Sequence, residues 1–156
     1  MRDLVVLAPA QSSPPTSENQ RTRQLQIKDI LTKVLKGHIA VATTDLKRDN
    51  TGKKIDARAR KLLNKSNIDY AHGTGHGVGF FLNVHEGPQA ITKINSIRIK
   101  EGMILSNEPG FYQKGKFGVR IENLIFVKKN KNKIFFQNLT LAPIEKDLIN
   151  YKLLNS

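Results

Sequence analysis

The stretch GVRIENLIFVKKNKNKIFFQNLTL, residues 118–141, contains two apolar segments separated by a basic, polar one. Successive side chains of an extended strand face opposite sides of a sheet, and residues 118–127 alternate in this way. Residues 134–141 provide a second apolar segment, and Lys128–Lys133 is expected to form a solvated turn between the two. The stretch therefore predicts an antiparallel hairpin.

Two helices and a leader are predicted upstream of this hairpin. Ser17 and Gln20 have the form of a capping box, and an apolar face at helical spacing continues to about Ala42. Gly37 in this face indicates a close packing contact. A second helix is predicted to begin after residues 50–52, and a further strand at 103–106. Helices followed by an antiparallel sheet predict an α+β fold. Residues 1–15, which contain Gln11-Ser12-Ser13-Pro14-Pro15, are expected to form a loose leader.

Composition excludes several classes of protein. The chain has 156 residues, of which 38% are hydrophobic and 25% charged, so one domain with a core is expected rather than disorder. It has no cysteine, which excludes disulfide scaffolds, zinc–thiolate sites and thiol catalysis. No apolar run is long enough for a membrane helix, and no signal peptide is recognisable, so we expect a cytoplasmic protein without membrane contact.

The net charge of +13 has two interpretations. A basic chain can bind nucleic acid, but such a face needs clustered charge with interleaved aromatic side chains. The charges here are scattered along the sequence, and their one tight cluster is the turn at 128–133. Compositional drift is therefore favoured, and no nucleic-acid partner is expected.

Three histidines lie within fourteen residues, at His72, His76 and His85. Glycines at 73, 75 and 77 argue against a helix and favour a strand or loop that approaches a ligand closely. The glycine spacing is not that of a dinucleotide-binding loop. His85-Glu86 does not begin a zinc-binding helix, because Gly87-Pro88 interrupts it.

Two glutamates occupy unusual positions. Glu108 follows an apolar strand at a turn, and Glu122 lies inside an otherwise apolar strand. A buried carboxylate is costly unless a cation meets it. Either Arg120 forms a plain ion pair with Glu122 on a solvent-facing side, or both glutamates bind a metal. The clustered histidines favour the metal, and one imidazole with several carboxylates suits Mn²⁺, Zn²⁺ or Fe²⁺, with Mn²⁺ preferred.

Three motifs closely resemble the cytosolic type of Xaa-Pro aminopeptidase (aminopeptidase P), a pita-bread metallopeptidase. They are HGTGHGVGFFLNVHEGP (72–88), EGMILSNEPGFY (101–112) and GVRIENLIFV (118–127), and they are supported by VLKGHIA (34–40), DARAR (56–60) and LTLAPIEKDLI (139–149). The resemblance implies a partial pita-bread fold. It also implies that 1–15 is a non-homologous leader, 16–138 the C-terminal part of the catalytic domain, and 139–156 the start of a short C-terminal segment.

The resemblance implies a role for each matching residue in removing an N-terminal residue that precedes proline. His76, Glu108 and Glu122 match metal ligands, and Glu122 matches the glutamate that bridges two ions. His72 and His85 match histidines that contact the substrate and stabilise the tetrahedral intermediate. Glu108 is expected to shuttle a proton as well, and Arg120 to hold a metal-binding carboxylate in place.

One departure from the family concerns two metal-binding aspartates upstream of the first helix, which no residue here matches. Asp45, Asp49 and Asp56 are interpreted as surface, cap or helix residues, and His38 as structural. We therefore expect at most one weakly bound ion, an exposed sheet edge, and little or no activity in a chain truncated at its N-terminal side. A separately encoded N-terminal fragment and a homodimer are conceivable partners. The alternative is a non-catalytic pita-bread relative that binds a peptide or protein.

Overall fold

The computed structural model describes residues 4–7, 17–81, 83–141 and 143–155; for residues 4–7 and 17–20 only the backbone is described. The chain runs through three helices, eight strands and one 3₁₀ turn within these ranges. In chain order they are β1 (Leu4–Leu7), α1 (Ser17–Ala42), α2 (Gly52–Asn64), β2 (Gly75–Val78), β3 (Ala90–Ile91), β4 (Ile104–Asn107), β5 (Gly110–Gln113), β6 (Phe117–Ile121), β7 (Asn123–Asn130), β8 (Lys133–Asn138), the 3₁₀ turn Lys146–Leu148 and α3 (Tyr151–Leu154). The α+β class is confirmed.

The two long helices form where the sequence predicts them and pack against each other. The apolar face of α1 is fully buried at Leu31 and Val34, and that of α2 at Ile55 and Leu63. A Cβ atom at Gly37 would lie 2.5 Å from the carbonyl oxygen of Ala59. This glycine therefore lets the two helix backbones approach closely, as expected.

The strands form two sheets. One has the order β1-β6-β5 and the other β3-β2-β4-β7-β8. The predicted hairpin is present as β7 and β8, which pair from Ile125↔Asn138 to Asn130↔Lys133. The segment 118–127 differs from prediction, because it is two strands that belong to different sheets. The chain passes from one sheet to the other at Glu122.

A second strand pair changes sheets at the same level. β4 pairs with β7 and β5 pairs with β6, and Glu108 with Pro109 separates β4 from β5. Both glutamates therefore lie where their strands leave one sheet and enter the other. This arrangement brings together two carboxylates that are fourteen positions apart in the sequence.

The N-terminal segment differs from the expected loose leader. Leu4–Leu7 is a strand that pairs antiparallel with β6, from Leu4↔Ile121 to Leu7↔Gly118. It covers one edge of β6, whereas an exposed sheet edge was expected without being assigned to a particular strand. The rest of the predicted leader, including residues 11–15, lies outside the described residues. Across the described part of the chain, no helix is long and apolar enough to span a bilayer.

Candidate metal centre

Three ligand-type side chains converge at the junction of the two sheets. His76 lies in β2, whose next residue, Gly77, pairs with Leu105 of β4. One donor atom each of His76, Glu108 and Glu122 lies within 4.8 Å of the other two. Nε2 of His76 lies 3.6 Å from Oε1 of Glu108. These are the three residues that the family resemblance implies as metal ligands.

The hydrogen bonds of His76 leave its Nε2 atom free to act as a ligand. Its Nδ1 atom lies 2.9 Å from the carbonyl oxygen of Gly77, which can only accept, so Nδ1 carries the proton. The lone pair of a neutral ring is then on Nε2, the atom that faces Glu108. Metal-binding histidines are commonly held in one tautomer by such a bond.

Ser106 orients two members of the cluster. Its hydroxyl accepts a hydrogen bond from the backbone N–H of His76 at 2.9 Å and donates one to Oε1 of Glu108 at 2.8 Å. Ser106 is fully buried, so these bonds form away from water. One imidazole and two fixed carboxylates are a donor set that suits a divalent cation.

Arg120 lies beside both carboxylates. Its guanidinium is 3.7 Å from Oε2 of Glu108 and 3.4 Å from Oε2 of Glu122. The ion pair with Glu122 therefore exists, but not on a solvent-facing side, since Glu122 is only 7% exposed. Glu122 thus forms an ion pair with Arg120 and also belongs to the cluster of candidate metal ligands.

His72 and His85 lie at the edge of the cluster. Nδ1 of His72 donates to the carbonyl oxygen of Gly73 at 2.7 Å, so its Nε2 accepts a hydrogen bond from the hydroxyl of Tyr112 at 2.9 Å. The ring of His85, which is exposed, lies 4.2 Å from that of His76, edge to face. His85 therefore contacts a member of the cluster directly, and His72 contacts Tyr112.

Tyr112 is a site residue that the sequence analysis does not identify. Burial raises the pKa of Tyr112, the Glu108 and Glu122 carboxylates raise it further, and Arg120 opposes them. The hydroxyl therefore stays protonated and donates to His72. Tyr112 pairs with Gly118, where a Cβ atom would lie 2.9 Å from the tyrosine ring. The glycine at 118 is thus the sequence feature that makes room for this ring.

The remaining candidates lie elsewhere. Asp49 forms an exposed ion pair with Arg58, and Asp45 accepts from a backbone N–H in the loop after α1. Asp56 is a helix residue as expected, but it is 1% exposed. Among the described residues, no aspartate belongs to the His76–Glu108–Glu122 cluster. His38 is 5% exposed and its Nε2 atom has no hydrogen-bond partner.

The structure gathers basic side chains that are scattered in the sequence. A surface cavity of about 530 Å³ is lined by residues from the α1–α2 loop, from the segment before β4, and from the β7–β8 turn. Its cations are Lys47, Arg98, Lys100, Lys129, Lys131 and Lys133. The expected absence of a nucleic-acid partner therefore stays a prediction, because the charge is more clustered than the sequence indicates.

A family model and the curated relatives both relate this chain to metallopeptidases. Residues 14–129 match the model of metallopeptidase family M24. The chain is 45% identical over 152 residues to "Probable Xaa-Pro aminopeptidase P" of Laccaria bicolor, an alignment that covers 90% of this chain and 22% of that protein. It is 46% identical over 135 residues to "Xaa-Pro aminopeptidase 1" of Dictyostelium discoideum, covering 81% of this chain and 22% of that protein.

Solved structures agree in fold. An X-prolyl aminopeptidase from Caenorhabditis elegans, described as a cytosolic enzyme with a di-nuclear active site, superposes with a TM-score of 0.74 and 36% identity. The match covers 92% of this chain and 23% of that one. Xaa-Pro dipeptidase from Bacillus anthracis gives a TM-score of 0.66 at 27% identity, covering 85% of this chain and 33% of that one. The chain thus spans about a fifth of the three aminopeptidases named here.

Proposed function

Since the chain belongs to metallopeptidase family M24 and has the corresponding part of the pita-bread fold, we propose that it carries part of the active site of an Xaa-Pro aminopeptidase. The substrates would be peptides with proline in second position, and the reaction would release the residue before that proline. The observation that carries this proposal is the convergence of His76, Glu108 and Glu122, with donor atoms within 4.8 Å of one another.

These three residues would hold a divalent cation, preferably Mn²⁺ because two of the three ligands are carboxylates, with Zn²⁺ as the second choice. When bound, the ion supplies Lewis-acid activation of water and of the scissile carbonyl group. Glu108 would accept the proton of the attacking water; its hydrogen bond from Ser106 and its position facing His76 support this role. Arg120 balances the charge of the carboxylates and keeps them in position.

His72 and His85 would bind the substrate and stabilise the negative charge that develops on its carbonyl oxygen. Tyr112 fixes the ring of His72 through the hydroxyl bond to Nε2. To donate a hydrogen bond to the substrate's carbonyl oxygen, Nε2 of His72 must carry a proton. The ring would have to take up a proton, or exchange its bond with Tyr112 for one to the substrate. The contact of His85 with His76 and the bond between His72 and Tyr112 support these roles.

We propose further that the 156-residue chain alone binds at most one ion, weakly, and turns over little substrate. The support is the ligand count, because affinity for hard cations rises with the number of carboxylate ligands and the described cluster contains two. A separately encoded polypeptide that supplied aspartates would raise both affinity and activity. The residue boundaries 1–15, 16–138 and 139–156, cytoplasmic localisation and dimer formation stay predictions.

Titration of the purified, metal-free chain with Mn²⁺ by calorimetry tests the site. We expect one ion per chain, and we expect Glu122→Gln to weaken binding by at least about tenfold, because an amide lacks the ligand's charge. Glu101→Gln, an exposed glutamate outside the cluster, is the matched control. Equal Mn²⁺ binding by both variants, or none by the parent chain, would contradict the site.

Hydrolysis of an Xaa-Pro peptide by the Mn²⁺-loaded chain tests the activity. We expect a rate close to that of Mn²⁺ alone in buffer, restored by a polypeptide carrying the relatives' upstream region. Fast proline-dependent turnover by the isolated chain would show that three ligands suffice. The same rate from Glu108→Gln would instead indicate contamination, since that change removes both a ligand and the proton acceptor.

A further inference from the structure

A buried ion pair on α2 is connected to the candidate centre by hydrogen bonds. Asp56 and Arg60 are one helical turn apart, 1% and 2% exposed, and their Oδ2 and Nε atoms are 2.8 Å apart. We infer that this pair is a positioning device, which sets the places of His72 and Glu108 without touching metal or substrate itself. The inference deepens the proposed function and rests on it for the roles of those two residues.

The guanidinium of Arg60 holds the segment that carries His72. It donates to the carbonyl oxygens of Tyr70 and His72, each at 2.7 Å, and to Oδ1 of Asp69 at 2.5 Å. Its central carbon also lies 3.7 Å from the centroid of the Tyr70 ring, which in turn is 4.9 Å from the ring of His72. Residues 70–74 belong to neither sheet, so Arg60 supplies the hydrogen bonds that a strand neighbour would otherwise supply.

Asp56 extends the support to the metal ligands. Its second carboxylate oxygen, Oδ1, accepts a hydrogen bond from the hydroxyl of Thr74 at 2.6 Å. The carbonyl oxygen of Thr74 accepts the backbone N–H of Glu108 at 2.7 Å. Thr74 is fully buried and lies two residues before His76 in the chain. A continuous series of hydrogen bonds therefore joins Asp56 to the backbone of Glu108.

The chemistry of this pair favours positioning over simple stabilisation. A buried ion pair contributes little net stability compared with well-packed apolar side chains, because both charges must be desolvated. Arg60, however, makes four directional hydrogen bonds to two separate segments: one to Asp56 on α2 and three to the stretch 69–72, at Asp69, Tyr70 and His72. Lysine keeps the charge but not the planar fork, so it cannot reproduce this set.

The experiment compares Arg60→Lys with Arg58→Lys, its matched control on the same helix, where Arg58 forms an exposed pair with Asp49. In the metal-free chain, NMR follows the backbone amide of Glu108, which Arg60 does not touch, and the ring of His72. We expect Arg60→Lys to shift both signals and to speed amide exchange at Glu108. Mn²⁺ binding to the same variant should weaken about tenfold or more, as is typical when support of a metal ligand is lost.

A second variant, Thr74→Val, breaks the series if Arg60→Lys fails to fold. It removes one hydroxyl at nearly constant volume, and we expect the Glu108 signal to shift while that of His85 stays. Thr74→Ser, which keeps the hydroxyl, should restore both the signal and the Mn²⁺ affinity. A role in stability alone would lower the unfolding midpoint of Thr74→Val without changing Mn²⁺ affinity below that midpoint.

The outcomes separate this inference from the proposed function. If the parent chain binds no Mn²⁺, the metal proposal fails, and the NMR comparison in the metal-free chain still decides the positioning role. If Arg60→Lys and Thr74→Val leave the Glu108 and His72 signals in place, the inference is overturned whatever the metal does.

Discussion

In the candidate metal centre, the contacts of individual residues leave the lone pair on Nε2 of His76 available to a cation. The Nδ1 proton of His76 is held by a backbone carbonyl, which leaves Nε2 facing two carboxylates. Ser106 forms hydrogen bonds with His76 and Glu108. Arg120 lies beside the carboxylates of Glu108 and Glu122. The geometry that suits a cation is therefore set by residues that would not bind it.

The buried His38 makes the stability of the fold depend on pH. Burial lowers the pKa of His38 from 6.5 to about 4, against a smaller opposing effect of a hydrogen bond with Asn123. Between these two values the unfolded chain binds a proton that the folded chain does not. The contribution of His38 to the free energy of unfolding is therefore present above its unfolded pKa of 6.5. It is lost as the pH is lowered towards 4, by roughly 3 kcal/mol in all.

Urea unfolding of the parent chain and of His38→Leu at pH 7.5 and pH 4.5 measures this effect. We expect the midpoint of the parent to fall more on acidification than that of His38→Leu. His85→Gln, which removes an exposed imidazole, should keep the parent's pH dependence. An identical loss in all three chains would show that His38 is not the responsible group.

At the scale of elements, the site depends on two strand pairs that change sheets at one level. Glu108 and Glu122 both lie at that change, and the glycine-rich β2 brings His76 alongside through β4. The sequence showed alternation along 118–127, but alternation alone does not reveal where a strand leaves one sheet and enters the next. The segment 118–127 was for this reason predicted as a single strand.

The contact between α1 and α2 gives an element-scale prediction. Alanine is the better helix former by about 1 kcal/mol, yet a Cβ atom at Gly37 would lie 2.5 Å from the oxygen of Ala59. We expect Gly37→Ala to destabilise the fold by about 1–3 kcal/mol, because the helices must separate. Thermal or urea unfolding measures it.

The reverse change at an exposed position of α2, Ala57→Gly, measures helix propensity without the contact. It should cost about 1 kcal/mol. If Gly37→Ala raised the unfolding midpoint, propensity would outweigh packing, and the close approach of the helices would be refuted.

At the scale of the whole molecule, the N-terminal strand completes the smaller sheet. β1 pairs with β6 along its full length, on the side opposite β5. β6 carries Arg120, and Glu122 follows it directly. Loss of β1 would leave a strand edge open beside the candidate centre, and open edges promote pairing between chains.

Replacing residues 4–7 by Gly-Ser-Gly-Ser tests this arrangement at constant length. We expect a lower unfolding midpoint and concentration-dependent association in analytical ultracentrifugation. The same replacement at residues 152–155, in and after the short C-terminal helix α3, is a control for loss of a terminal element that leaves no strand edge open. A monomer of unchanged stability from the first variant would show that β6 does not need this partner.

Much of this protein is determined by its sequence alone. Periodicity is a local property, so the long helices, the β7–β8 hairpin and the α+β class follow from it. The motifs at 72–88, 101–112 and 118–127 indicate the family, and they contain the three proposed ligands His76, Glu108 and Glu122. Only the tertiary structure decided how distant residues meet: the Asp56–Arg60–Thr74 series, the place of Tyr112, the pairing of Leu4–Leu7 and the gathering of cations around one cavity. Each of these depends on contacts between separate segments, and spacing along a chain does not encode distances across a fold.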